Sequence, residues 1–105
     1  VSEENGDGEV WTAAILKYKK RTVNSMHYVY LIQSISCPDR VYVGNTVNIK
    51  QRLETHNSGG SVHTKKDRPW KLVMFLGFED KLKATAFEKY LKTGSGIAFA
   101  KKRLW

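Results

Sequence analysis

A chain of 105 residues, 41% hydrophobic and 27% charged, has material for one small domain with a modest core and no room for a second. Its 18 Lys and Arg outweigh 10 Asp and Glu, and the whole net charge of +8 falls after residue 25, because Glu3, Glu4, Asp7 and Glu9 balance Lys17, Lys19, Lys20 and Arg21 before it. That excess suits a polyanionic partner such as nucleic acid or an acidic membrane surface, whereas a lone Cys37 rules out an intrachain disulfide and no apolar run approaches the roughly 18 residues of a membrane span.

In chain order, Val1–Gly8 is acidic and Gly-containing and reads as disordered. Trp11–Arg21 has helix formers, with Trp11, Ile15 and Tyr18 on one face, but it is too short to stand alone. Residues 1–25 are therefore expected to be an extension with a short helix over 11–21, and 26–105 the domain proper. Met26, where the texture changes, is a candidate initiator. The acidic start lacks the basic and apolar regions of a secretory signal. With Cys37 read as a passive thiol in a turn, a reducing, cytoplasmic setting is expected.

From Tyr28 the pattern becomes β. Tyr28-Val29-Tyr30-Leu31-Ile32 and Val41-Tyr42-Val43 are β-branched and aromatic runs, and the Cys-Pro-Asp turn chemistry between them predicts an antiparallel hairpin. Gly44 closes the second strand. Asn45 or Thr46 is the expected cap of a helix over Val47–His56, with Ile49 and Leu53 as its buried stripe and Asn57-Ser58-Gly59-Gly60 as its stop. The continuous apolar run Trp70–Phe78 is placed at the centre of a sheet. Asp80–Lys92 reads as a second helix with Leu82, Ala86, Phe87 and Leu91 facing the core. Gly94-Ser95-Gly96 should break it, leaving a basic helical turn or two over Ile97–Leu104. The order β-β-α-β-α-α describes a small α+β fold: a short, mainly antiparallel three-stranded sheet flanked by helices.

Five polar residues are candidates for chemistry. Tyr30 and Tyr42 lie on the hairpin strands, where tyrosine is also ordinary packing material. Arg52 and His56, at i and i+4, project from one face of the first helix at the margin between core and solvent. Glu88 lies on the second helix, where an i, i+4 pair with Lys92 would explain it equally well. His63, Lys65, Lys66 and Arg68 form a basic loop which, with Lys101, Lys102 and Arg103, offers phosphate contacts that fix position without reading sequence.

Taken together, Tyr28-Val29-Tyr30, Tyr42-Val43-Gly44, Arg52 through His56, and Phe87-Glu88 resemble the motifs of the GIY-YIG nuclease superfamily in order and spacing. His56-Asn57-Ser58-Gly59-Gly60, His63-Thr64 with Arg68-Pro69-Trp70, and Ala86 through Gly96 narrow the likeness to its small stand-alone bacterial (YhbQ-like) group. The resemblance covers about residues 27–104, and residues 1–25 have no counterpart in it. It implies a metal-dependent endonuclease acting on DNA with little sequence preference, in repair or recombination. A basic nucleic-acid-binding module on the same fold, without catalysis, is the alternative. The resemblance assigns Tyr42 to the attacking water, Tyr30 to an assisting role, Arg52 to the phosphate and His56 to support. It gives Glu88 a divalent cation, Mg²⁺ before others. Tyr28 and Gly44 are motif residues of structural duty. The sequence departs from the pattern of many members in having no Asn after the Glu88 helix. With no long exposed apolar segment, a monomer is expected.

Overall fold

The structure, a computed structural model, describes residues 26–105. The helix expected over 11–21 and the rest of the extension lie outside the described residues. Strands β1 (His27–Ser34), β2 (Val41–Thr46) and β3 (Trp70–Phe78) form one antiparallel sheet, and helices α1 (Ile49–Ser58), α2 (Lys81–Leu91) and α3 (Gly94–Arg103) flank it. A short 3-10 turn over Lys65–Asp67 leads into β3.

The strand order is β2-β1-β3, so β1 and not β3 is central. The expectation for Trp70–Phe78 fails because a continuous apolar run does not tell a central strand from an edge strand. Here it is β1 that is buried on both faces, while Val73, Phe75 and Leu76 of β3 are exposed. A bulge between Leu31 and Ile32 places Val73 as an extra residue and keeps Leu72 and Phe75 on one face and Met74 on the other.

Alternate residues of β1 feed two separate cores. Val29 and Leu31 pack with Val43, Ala84, Leu91 and Ala100 under α2 and α3. Tyr30 and Ile32 pack with Trp70, Leu53, Leu72 and Tyr42 under α1.

The helix ends correct three further expectations. Asn48, rather than Asn45 or Thr46, caps α1 by accepting from the Gln51 N–H at 3.0 Å. Thr46 instead steadies the cap, its hydroxyl accepting from the Asn48 N–H at 3.1 Å. Gly59, with φ of 87°, closes α1 as the stop signal predicts. In α2, Ala84, Phe87 and Leu91 face the core, whereas Leu82 is 78% exposed and Ala86 is exposed too. Both lie about 200° of helical rotation from Ala84. Finally, Gly94-Ser95-Gly96 is the first turn of α3 and not a break. Lys92 and Thr93 alone separate the helices, and the Thr93 hydroxyl accepts from the Gly96 N–H at 3.1 Å. A Cβ on Gly96 would run into the Tyr90 carbonyl and lie 2.8 Å from the Leu91 Cα. Glycine is there for the close approach of α3 to α2.

Candidate active site

Tyr30 points to the α1 face, 2% exposed, from the most protected strand of the sheet. Its register partner on β2 is Gly44. A Cβ at residue 44 would overlap the Tyr30 hydroxyl and lie 2.9 Å from its Cε2. The glycine of the second motif thus makes room for the tyrosine of the first, whose ring leans across β2. Tyr42 stands opposite Ile32 on the same face, so the two tyrosines are diagonal neighbours and not a directly facing pair.

His56 lies between them. Its ring is 5.9 Å from that of Tyr30 and 5.2 Å from that of Tyr42, centre to centre. The sequence places it at the rim of the core, but it is fully buried, at 0% exposure. Its Nε2 is 2.8 Å from the Tyr30 hydroxyl and its Nδ1 is 2.6 Å from that of Thr64. Both nitrogens are satisfied, which is what a buried imidazole requires. Burial, and then the nearby Arg52 charge, lower its pKa from 6.5 to about 4, so at neutral pH the ring is uncharged, one nitrogen donating and the other accepting.

Arg52, one turn earlier on α1, donates from Nε to the Tyr30 hydroxyl at 3.4 Å. That bond, with a weaker one to the Tyr42 phenol, holds the guanidinium proton more firmly than usual against the opposing effect of burial. The Tyr30 phenol in turn has a raised pKa. Burial is the main cause, Arg52 opposes it, and Tyr42 and Glu88 add to it. Tyr30 is therefore a protonated hydrogen-bonding group at neutral pH and not a base.

Glu88 arrives from the other side. Helix α2 packs on the Val29/Leu31 face of the sheet, opposite the tyrosines, yet its Glu88 and the Lys92 that follows it reach toward them at β2, an edge strand. The Glu88 carboxylate accepts from Lys92 Nζ at 3.0 Å, and that ammonium lies 5.6 Å from the centre of the Tyr42 ring. The Glu88 charge is felt at Tyr30. Tyr30, Tyr42, Arg52, His56 and Glu88 thus share one neighbourhood, and Tyr28 lies outside it, edge-on to Phe75 at 5.8 Å.

The basic residues divide. His63, Lys65, Lys66 and Arg68 are exposed on the loop after α1, where Arg68 Nε donates to the Lys65 carbonyl at 2.9 Å. Lys101, Lys102 and Arg103 form the exposed last turn of α3, and Lys101 lines a cleft together with Tyr42 and Lys92.

Two neighbours of the site escape sequence reasoning. Thr64, 0% exposed, sits in a stretch that reads as a solvated basic loop, and its carbonyl accepts from the Trp70 indole at 2.8 Å. Lys92 is legible only as an ion-pair partner of Glu88, and nothing in its spacing shows that it also faces Tyr42. For a cation the donor set is lean. Among the described residues no group of three or more His, Cys, Asp and Glu side chains could hold a metal ion. One carboxylate fits a hard ion held jointly with water and a substrate phosphate, and it does not fit an ion caged by protein alone.

Comparison with known proteins follows the same residues. The model of the GIY-YIG catalytic domain matches residues 26–97. The structure-specific endonuclease subunit SLX1 of Candida dubliniensis is 42% identical over 77 residues, which are 67% of this chain and 27% of that protein. The UPF0213 protein CPE1444 of Clostridium perfringens is 41% identical over 69 residues, 64% of this chain and 71% of that one. The solution structure of the UPF0213 protein BH0048 from Bacillus halodurans aligns with a TM-score of 0.44 at 28% identity, over 73% of this chain and 83% of that one. The chain spans only 27% of the length of the first SLX1 relative.

Proposed function

This chain belongs to the GIY-YIG catalytic-domain family, and from that premise we propose that it is an endonuclease hydrolysing phosphodiester bonds in DNA with little sequence preference, in repair or recombination. The observation that supports the reading best is the gathering of two phenols and a fixed guanidinium around one buried, neutral His56, with a carboxylate whose charge reaches Tyr30.

Each group has a separate duty. Arg52 is the permanent cation for the phosphoryl oxygens, its Nε held by Tyr30 and its guanidinium also within reach of the Tyr42 phenol. Tyr42, the less buried phenol, positions the attacking water, and takes its proton in the phenolate form that a neighbouring cation would have to favour. Tyr30 stays protonated and ties Arg52 to His56, so that the cation meets the phosphate already oriented. His56 holds both tyrosines in place without adding a charge that would repel Arg52. Among the described residues Glu88 is the carboxylate positioned to hold a divalent cation, Mg²⁺ by its oxygen preference. Bound there, the ion would supply Lewis acidity at the phosphate and leaving oxygen. Glu88 must release Lys92 to do so, and that ammonium is then free to meet a phosphate.

A cleavage assay on DNA with Mg²⁺ or EDTA tests the reading in wild type, Arg52→Ala and Glu88→Ala. Each substitution is expected to lower the rate by roughly 10²–10³-fold, the worth of one preorganised group facing transition-state charge. Equal activity in all three proteins would identify a contaminant and overturn the assignment. The Glu88–Lys92 ion pair is the one observation that favours a binding module without catalysis. That reading predicts no turnover with any divalent metal, together with DNA affinity that falls linearly on logarithmic axes as salt rises.

A further inference from the structure

Beside the site, on the outer edge of β2, a cleft of about 450 Å³ opens between that strand and α3. Its volume lies within the roughly 300–1,000 Å³ of small-ligand sites. Val41 and Ile97, 44% and 41% exposed, give it apolar walls, Trp105 contributes an indole, and Lys92 and Lys101 supply two ammonium groups. Tyr42 and Lys92 belong at once to the cleft and to the candidate active site. Asp39, at the hairpin end, is the one acid among the described lining residues, and the Lys92 ammonium is paired with Glu88 at 3.0 Å until a phosphate takes its place.

Apolar walls with an indole and two cations, opening from a phosphodiester site, match the chemistry of one nucleotide: a flat base and a phosphate. We propose that this cleft holds a single unpaired nucleotide adjoining the scissile phosphate, its base against Trp105 and the Val41/Ile97 wall and its phosphate between Lys92 and Lys101. The inference rests on the endonuclease reading and adds a substrate class to it. A paired base keeps its faces stacked on its neighbours and cannot present one to the indole. Extruding a base costs free energy, least where it is already mismatched, damaged or single-stranded. The cleft therefore selects flaps, bulges and gaps over intact duplex, through a π-face and a phosphate and not through base-edge hydrogen bonds.

The test uses the full chain in EDTA with two DNA duplexes of equal length. One carries 2-aminopurine paired within the duplex, and the other carries it as the unpaired nucleotide of a one-base bulge or flap. The unpaired probe should be quenched on binding, and that DNA should bind roughly five- to a hundredfold more tightly than the intact duplex, the range of one base stacked on an aromatic ring. Trp105→Phe should keep most of the preference and Trp105→Ala should lose it. Because Trp105 also packs on the core, Ile97→Glu serves as the second variant: at a position 41% exposed it puts a negative charge on the cleft wall, and it should abolish the preference while the protein still shows a cooperative melting transition. Equal affinity of the wild type for both DNAs, with cleavage intact, removes the cleft assignment alone. An Ile97→Glu protein that keeps the full preference does the same. No binding to either DNA removes the endonuclease reading as well.

Discussion

The two faces of β1 are built from alternate residues of one strand and do different work. Val29 and Leu31 face an apolar core with Val43, Ala84, Leu91 and Ala100, and none of these buried side chains carries a polar atom. Tyr30 and Ile32 face Trp70, Tyr42 and the buried His56 and Thr64, where an unbroken set of hydrogen bonds runs from Arg52 through Tyr30 and His56 to Thr64. The apolar face tolerates no charge and asks for none. The polar face bears the cost of burying a histidine and two hydroxyls, and it meets that cost by pairing them: no buried side-chain nitrogen or oxygen among the described residues lacks a partner. A domain this small separates stability from chemistry by the two-residue period of a strand.

The largest effect should break the separation from the apolar side. Leu31 is 1% exposed against the α2–α3 core, and Leu31→Ala should destabilise the fold by about 2–5 kcal/mol. Chemical denaturation reads this directly. Cleavage per folded molecule should hardly change, and a large loss there would show that the two faces are not independent.

On the polar face the next largest effect is a dependence on pH. His56 titrates at about 4 when folded and at 6.5 when free. Between those values the unfolded chain binds a proton that the native state refuses, so stability falls as pH drops from 6.5 to 4 and is complete above 6.5. The contribution is at most about 3 kcal/mol. Denaturation of wild type and His56→Gln across this window isolates it, because other titrating groups cancel in the difference. Parallel pH profiles would mean that the ring is not held neutral by burial.

Gly44→Ala sharpens the comparison from within the strand. The new methyl collides with the Tyr30 phenol and displaces it from Arg52 and His56. A shift of about 1 Å in a positioned group can cost about a hundredfold in rate. Cleavage should fall by that order while far-UV circular dichroism stays unchanged, and full activity would remove Tyr30 from the site.

How far this division was legible in the sequence differs between the faces. The hairpin and the first two helices announce themselves by alternation and periodicity, whereas Tyr30, Tyr42, Gly44, Arg52, His56 and Glu88 stand out together only through the resemblance to the GIY-YIG motifs. What stayed hidden depends on contacts distant in the chain. A continuous apolar run says that Trp70–Phe78 is a strand, but only the pairing of β1 with both neighbours makes it an edge. Leu82 is apolar, yet the helix phase chosen by Ala84, Phe87 and Leu91 turns it outward. Glycine is a poor helix former, so Gly94-Ser95-Gly96 reads as a break until the contact of Gly96 with the Tyr90 carbonyl is seen. The burial of His56 is the clearest case, because its partner Thr64 lies eight residues on, beyond a helix stop and a glycine pair, in a stretch whose charge suggests open solvent.

That partner supports the smallest and most discriminating prediction. Thr64 touches no group proposed to meet the substrate. Its hydroxyl acts through the Nδ1 of His56, at 2.6 Å. Thr64→Val is nearly the same size and strands a buried ring nitrogen, which should cost about 1–2 kcal/mol. The same change frees the imidazole from its preferred tautomer, so the Tyr30 hydroxyl loses a partner of fixed role and Arg52 loses some of its orientation. Thr64→Ser keeps the hydroxyl and removes a methyl, so it should restore the tautomer even where packing suffers. Nitrogen-15 NMR of the His56 ring reports which nitrogen carries the proton, independently of any cleavage. Matching spectra in wild type and Thr64→Ser, against a mixed or inverted tautomer in Thr64→Val, would place the control of the polar face in the loop. If Thr64→Val kept the wild-type tautomer and lost stability alone, Thr64 would be packing, and the set of hydrogen bonds that distinguishes this face would end at His56.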